Sequence, residues 1–305
     1  MPEQRVEVDV DGRRLSLSNL DKVLYPSVGF TKRDVLAYYS RIAPVMLPYL
    51  KDRATTFLRY PNGVESKQFY QKDVSQQAPS WVRTAALENT DSRGNTDGPG
   101  TNHHPVVADL PTLVWAANLA ALELHVPQWT VGPRGARRPP DLLVFDLDPG
   151  EPANIADCCR VAERLREVLG EDGHTAYAKT SGSKGMQLYC AVRTRRPEKT
   201  SEYAKSLAER LAEEHPGEIV AKMAKALRPG KVLIDWSQNN PAKTTIAPYS
   251  LRGRALPTVS TPLRWEEVES CRKPAELVFT SDDVLDRVEE FGDLFADLGE
   301  DRKSL

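Results

Sequence analysis

Apolar and polar positions alternate at the start of the chain, RVEVDV and then RRLSLSNL, the period-two pattern of two strands folded about an Asp11-Gly12 turn. From Thr31 the period lengthens. Thr31 and Asp34 have capping-box spacing, and Val35, Leu36, Tyr39 and Ile42 line one face until Pro44, which predicts a helix. Residues 55–74, TTFLRYPNGVESKQFYQKDV, predict an edge hairpin around Asn62-Gly63. Residues 88–104, ENTDSRGNTDGPGTNHH, are almost without apolar positions and predict a long mobile loop. The apolar run LPTLVWAANLAALEL, 110–124, predicts a helix stopped by Pro127 with His125 at its end.

The second half alternates strand and helix patterns. Leu142, Leu143, Val144 and Phe145 form a short apolar run of buried-strand type, closed by the Pro149-Gly150 turn. A helix follows from the Asn154 cap to Leu169, with Gly170 as its stop. Two β-prone runs flank Ser181–Gly185, a helix is predicted over Ser201–Glu214, and a second apolar strand, Val232-Leu233-Ile234, ends at Asp235. Two acidic helices, Arg264–Cys271 and Ser281–Leu298, complete the chain. This alternation predicts a mixed α/β (α+β) class.

Composition narrows the possibilities. A chain of 305 residues falls between one large domain and two smaller ones. No apolar stretch approaches a membrane span, and MPEQRVEVDV lacks a signal-peptide core, so a cytoplasmic location without membrane contact is expected. Cys158, Cys159, Cys190 and Cys271 show neither zinc nor disulfide spacing and read as buried thiols. A net charge of −2 exerts no global pull on nucleic acid, so any such binding must come from local basic patches.

The candidate chemistry sits at strand ends. Asp146 and Asp148 are two apart on one strand and point the same way, about 6 to 7 Å apart at the backbone, where a divalent cation offsets their repulsion. Asp235 repeats the arrangement at the second strand end. Between the two strands, Ser181, Gly182, Ser183, Lys184 and Gly185 offer backbone N–H groups, hydroxyls and a cation suited to a triphosphate. Arg252 lies downstream. Lys22, Lys32 and Arg33 cluster near a helix N-terminus, a phosphate-site pattern, and Arg59, Lys67 and Lys72 interleave with Tyr60, Phe69 and Tyr70 as a base-stacking platform would. These are the parts of metal-dependent nucleotidyl transfer, with two Mg²⁺ or Mn²⁺ ions about 4 Å apart and no protein nucleophile.

The motifs FDLDPG, TSGSKG, LELHVPQW, VLIDWSQN and KTTIAPYSLRGR closely resemble those of the polymerase domain of bacterial ATP-dependent DNA ligase D, within the archaeo-eukaryotic primase superfamily. The resemblance runs from about Leu17 to Gly292. It implies a primase-like catalytic core of mixed and antiparallel central sheets flanked by helices. One domain, 1–305, would pack DNA-binding elements in about 1–130 on a core of about 130–260, followed by helices in 261–305. By the same match, Asp146, Asp148 and Asp235 are the metal ligands. Ser181, Ser183, Lys184, Gln238 and Arg252 belong at the nucleotide's phosphates, His125 near its sugar, and Phe69 and Tyr70 at base and template, while Gln187 could hydrogen-bond a phosphate or sugar. Lys22 and Lys32 would hold the 5′-phosphate of a gap or break, and Arg59 and Arg228 would also contact DNA. The implied function is gap filling and end joining with nucleoside triphosphates, ribonucleotides included, alongside Ku and a DNA ligase, at the nucleoid when on DNA. Two positions depart from the family: Gln187 replaces a histidine and Leu58 a phosphate-contacting lysine. FDLDPG also resembles the FDLDGT opening of haloacid dehalogenase-type phosphatases, and a non-catalytic DNA-end-binding module is the other alternative.

Overall fold

The structure, a computed structural model, describes the backbone of residues 5–90 and 96–305, and side chains outside 90–99. β1 (Arg5–Val10) and β2 (Arg13–Ser18) pair antiparallel about Asp11 and Gly12, whose φ angles of 48° and 75° are the left-handed pair of a type I′ turn. α1 (Lys32–Leu50) starts at Thr31 with both halves of the capping box made. It runs on through Pro44 and Pro48, because Val35, Tyr39, Ile42, Met46 and Leu50 bury a continuous face that outweighs the missing backbone bonds.

β3 (Thr56–Arg59) and β4 (Phe69–Gln71) form the expected edge hairpin, with Gly63 at φ 87° in its connection. Where a long loop is expected, β5 (Thr84–Thr90) and β6 (Thr96–Pro105) form an antiparallel hairpin, and residues 91–95 of that stretch lie outside the described residues. Backbone ladders need no apolar side chains, so a polar hairpin leaves little trace in the hydrophobic pattern.

The apolar run at 110–124 is not one helix. α2 (Leu110–Asn118) stops, Ala120 turns at φ 56°, and β7 (Ala121–Val126) begins. The run is apolar on every side, and periodicity cannot separate a buried helix from a buried strand. His125 therefore sits inside a strand rather than at a helix end.

The second half comprises β8 (Leu142–Pro149), α3 (Ile155–Glu171), β9 (Tyr177–Thr180), β10 (Met186–Arg193), α4 (Glu198–Glu214), β11 (Ile219–Val220) and β12 (Val232–Asp235). Then come β13 (Thr245–Ile246), β14 (Pro262–Leu263), α5 (Trp265–Ser270), α6 (Ser281–Phe291) and β15 (Lys303–Ser304). The last helix ends earlier than expected because Gly292, at φ 70°, turns the chain out of it.

The main sheet has the order β11-β12-β8-β10-β9-β14, with β15 beside β10, and both neighbours of β8 are antiparallel to it. A second sheet runs β13-β7-β3-β4. Alternation along β8 decides the layout: Leu143, Phe145 and Leu147 enter a core closed by α3 and α4, leaving Asp146 and Asp148 on the opposite face. A larger core joins α1, α2, β3 and β7, and Tyr249, Leu251 and Val284 return to it from far down the chain. The four cysteines are buried free thiols. Among the described residues no helix is long and apolar enough to cross a membrane.

Candidate active site

Strand register builds the acidic centre. Pro262, Lys179, Gln187, Asp146 and Asp235 are successive cross-strand partners in one row over β14, β9, β10, β8 and β12. Cross-strand partners share a face, and Asp148, two residues on from Asp146, shares it too. Asp146, Asp148 and Asp235 thus converge, each offering a carboxylate oxygen within 4.8 Å of the others. Burial first, and then the Asp148 charge, push the Asp146 carboxyl well above its ordinary range. Asp148 is raised by burial and by Asp235, with Arg228 pulling the other way. Three hard oxygen donors in mutual repulsion fit Mg²⁺ or Mn²⁺.

The neighbours of these carboxylates are fixed. Gln187 Nε2 donates to Asp146 Oδ1 at 2.9 Å while its Oε1 accepts from the Tyr189 hydroxyl at 3.2 Å. Gln238 Nε2 donates to Asp235 Oδ2 at 2.9 Å, and Lys243 Nζ lies 4.0 Å from the same oxygen. Gln238, expected at a phosphate, and Gln187, expected at a phosphate or sugar, each hold one of the three aspartates in this structure.

The Ser181–Gly185 turn lies between β9 and β10. The Ser181 hydroxyl accepts from the N–H groups of Ser183 and Gly185, both at 3.3 Å, and so ties the turn together. Only glycine fits at Gly185, where a Cβ would lie 2.1 Å from the Leu147 carbonyl oxygen. Lys184 is exposed and pairs with exposed Glu151 at 2.9 Å, a contact weak enough for a phosphate to displace.

His125, Ser181, Ser183, Lys184, Gln187, Gln238, Arg252 and Tyr70 all line one cleft of about 620 Å³ together with Asp146 and Asp148. Glu123, which the sequence reading missed, lies behind two of the lining residues, in contact with both His125 and Arg252. Burial alone would raise this carboxyl, but the hydrogen bond from His125, the Arg252 guanidinium and the Gly253 N–H more than offset that and hold it at about 2. An acidic residue amid the apolar LELHV run was its one signal in the sequence. Lys179 was also missed: it is fully buried in the aspartate row, and burial drives its amine well below the usual lysine value.

The residues expected at DNA divide. Lys22, Lys32 and Arg59 line a separate groove of about 410 Å³ with Asn62 and Asn118. Lys22 Nζ donates to Asn62 Oδ1 at 2.8 Å, whereas Lys32 is only 5 % exposed and donates to the Ser18 carbonyl at 2.6 Å. Phe69 and Tyr70 project at 42 % and 65 % exposure, with the Arg59 guanidinium 5.2 Å from the Phe69 ring centre, while Tyr60 is buried. Arg228 is not in that groove: its backbone packs on Gly150 and its charge acts on Asp148. Leu58 is buried, 7 % exposed, and paired across the sheet with Tyr70.

An antiparallel sheet face bearing three convergent aspartates beside a Ser-Gly-Lys turn defines a metal-dependent nucleotidyltransferase. A sequence model described as "LigD, primase-polymerase domain" matches residues 31–295, and the chain belongs to that family. It is 42 % identical over 289 residues to the multifunctional non-homologous end joining protein LigD of Mycolicibacterium smegmatis, covering 94 % of this chain and 36 % of that protein. Identity to the bifunctional LigD protein of Bacillus subtilis is 35 % over 286 residues, covering 93 % of this chain and 44 % of that protein. The chain thus spans less than half the length of these relatives. The structure is similar to the polymerase domain of Mycobacterium tuberculosis ligase D in complex with DNA, with TM-score 0.86, 40 % identity, and coverage of 94 % of this chain and 99 % of that one. The family assignment removes the phosphatase alternative, and the mixed sheets agree with the expected fold class.

Proposed function

We propose that this chain catalyses template-dependent nucleotidyl transfer at gaps and broken ends of duplex DNA, using ribo- as well as deoxynucleoside triphosphates. The observation that carries the reading is one cleft lined by Asp146, Asp148, the Ser181–Gly185 turn, Arg252, His125 and Tyr70, with the Asp235 carboxylate beside the first two. Asp146, Asp148 and Asp235 would hold two divalent ions, Mn²⁺ or Mg²⁺. When bound, such ions supply Lewis-acid activation of a 3′-hydroxyl and charge neutralisation at the leaving pyrophosphate. Lys184, Arg252 and the turn's N–H groups bind the triphosphate and offset its developing charge. Tyr70 stacks on the base and His125 faces the sugar. Lys22, with Lys32 behind it, takes the 5′-phosphate on the downstream side, and Arg59 holds the Phe69 ring for stacking. Arg228, beside Asp148, contacts the strand that enters the metal site. Relatives named for non-homologous end joining support Ku and a DNA ligase as partners, on cytoplasmic, nucleoid-bound DNA.

The test is extension of a gapped, 5′-phosphorylated primer–template by labelled nucleotide, comparing ribo- with deoxynucleotides and Mn²⁺ with Mg²⁺. Asp146→Ala with Asp148→Ala lowers extension by about 100-fold or more and leaves binding to gapped duplex intact. Persistent extension in that double variant removes the metal assignment. A wild-type chain that binds gapped DNA and extends nothing is a non-catalytic end-binding module.

A further inference from the structure

We infer that Glu123 is a positioning residue for sugar recognition: it holds His125 in the one tautomer that presents a hydrogen-bond acceptor to the ribose. The inference rests on the nucleotidyl-transfer reading and names the part of the site that would read the 2′-hydroxyl.

Glu123 is 3 % exposed, and both of its carboxylate oxygens are fully used. Oε1 accepts from the Tyr60 hydroxyl at 2.9 Å and the Gly253 N–H at 3.0 Å. Oε2 faces His125 Nε2 and Arg252 Nη1, each at 3.0 Å. An ionised carboxylate has no proton to give, so the proton in the His125 contact belongs to Nε2. In a neutral ring Nδ1 is then a lone-pair acceptor, able to receive a hydrogen bond from a sugar hydroxyl. His125 lines the cleft between two other contacts. The Tyr70 ring, on the base side, is centred 6.0 Å from the imidazole, and Arg252, on the phosphate side, shares the Glu123 oxygen with it. A nucleotide laid from Tyr70 to Arg252 places its sugar against His125. Glu123 thus orients the sugar and phosphate contacts together and touches neither group itself.

Three measurements test this on the intact chain. Calorimetric titration with ATP and dATP in Mn²⁺ gives a sugar ratio that does not require extension. Wild type favours ATP, and E123Q, which keeps the shape but can donate as well as accept, brings the ratio about five- to tenfold closer to one. Y60F removes a different hydrogen bond to the same carboxylate and retains the ratio. NMR of ¹⁵N-histidine-labelled wild type shows His125 protonated at Nε2, and this signature changes in E123Q. Equal weakening of ATP and dATP by E123Q overturns the inference, because Glu123 would then act only through Arg252 or the fold. So does an Nδ1–H tautomer in wild type, which is decisive even where E123Q fails to fold. A wild-type binding ratio of one also overturns it while leaving the polymerase reading intact. Sugar-selective binding with no extension contradicts the polymerase reading and sustains this one.

Discussion

Glu123 illustrates how one side chain acquires its properties from three others and a backbone N–H. A lone carboxylate at 3 % exposure would be costly, yet His125, the Arg252 guanidinium and the Gly253 N–H converge on it and reverse the sign of the effect, holding it at about 2 against an ordinary 4.5. Because the folded value is depressed, its contribution is fully present above about 4.5 and is lost as pH falls toward about 2. That contribution is on the order of 3 kcal/mol. Urea unfolding should therefore show a stability gap between wild type and E123Q that closes over this acidic window; a gap unchanged with pH contradicts the assignment. Gln187 shows the same logic in neutral form. Here an amide is clamped between Asp146 and Tyr189, a contact in which the amide cannot become charged at any pH.

At the scale of elements, legibility followed locality. The β1–β2 turn, the Thr31 and Asn154 caps and the strand that carries Asp146 depend on residues within a few positions of one another, and all were readable. The α2–β7 junction was not, since an all-round apolar run has no informative period. The β5–β6 hairpin was hidden because its pairing runs through the backbone. The groove beside the start of α1 gives a test of its own. Lys22 is exposed, so K22A should keep the fold and reduce the preference for a 5′-phosphorylated gap over a hydroxyl-ended one, more strongly at low salt. Equal loss on both substrates marks Lys22 as a generic charge. K32A is a poorer probe, because it also removes a buried bond to the Ser18 carbonyl.

In the molecule as a whole, two cores support one cleft between two sheets, and the aspartate row lies on the face of the main sheet that its own helices leave uncovered. The raised carboxyls make the ion-free chain lose stability as pH rises through them, so the stabilisation supplied by a divalent ion should grow in the same direction. With Mn²⁺ at 100 times its Kd, thermal unfolding at neutral pH should report about 2.7 kcal/mol of added stability. D146N/D148N should lose most of this, and an equal shift in that variant would place the ion elsewhere.

The sequence alone determined the strand-end aspartates, the Ser-Gly-Lys turn, the helix caps and the family, because each is written in spacings of a few residues along one element. Only the tertiary structure decided that Gln238 would hold Asp235, that Arg228 would stand beside Asp148 rather than with Lys22, and that Glu123 would bridge His125 to Arg252. Those contacts depend on strand register and on which sheet face meets which loop, and the spacing of two residues along the chain carries no record of either.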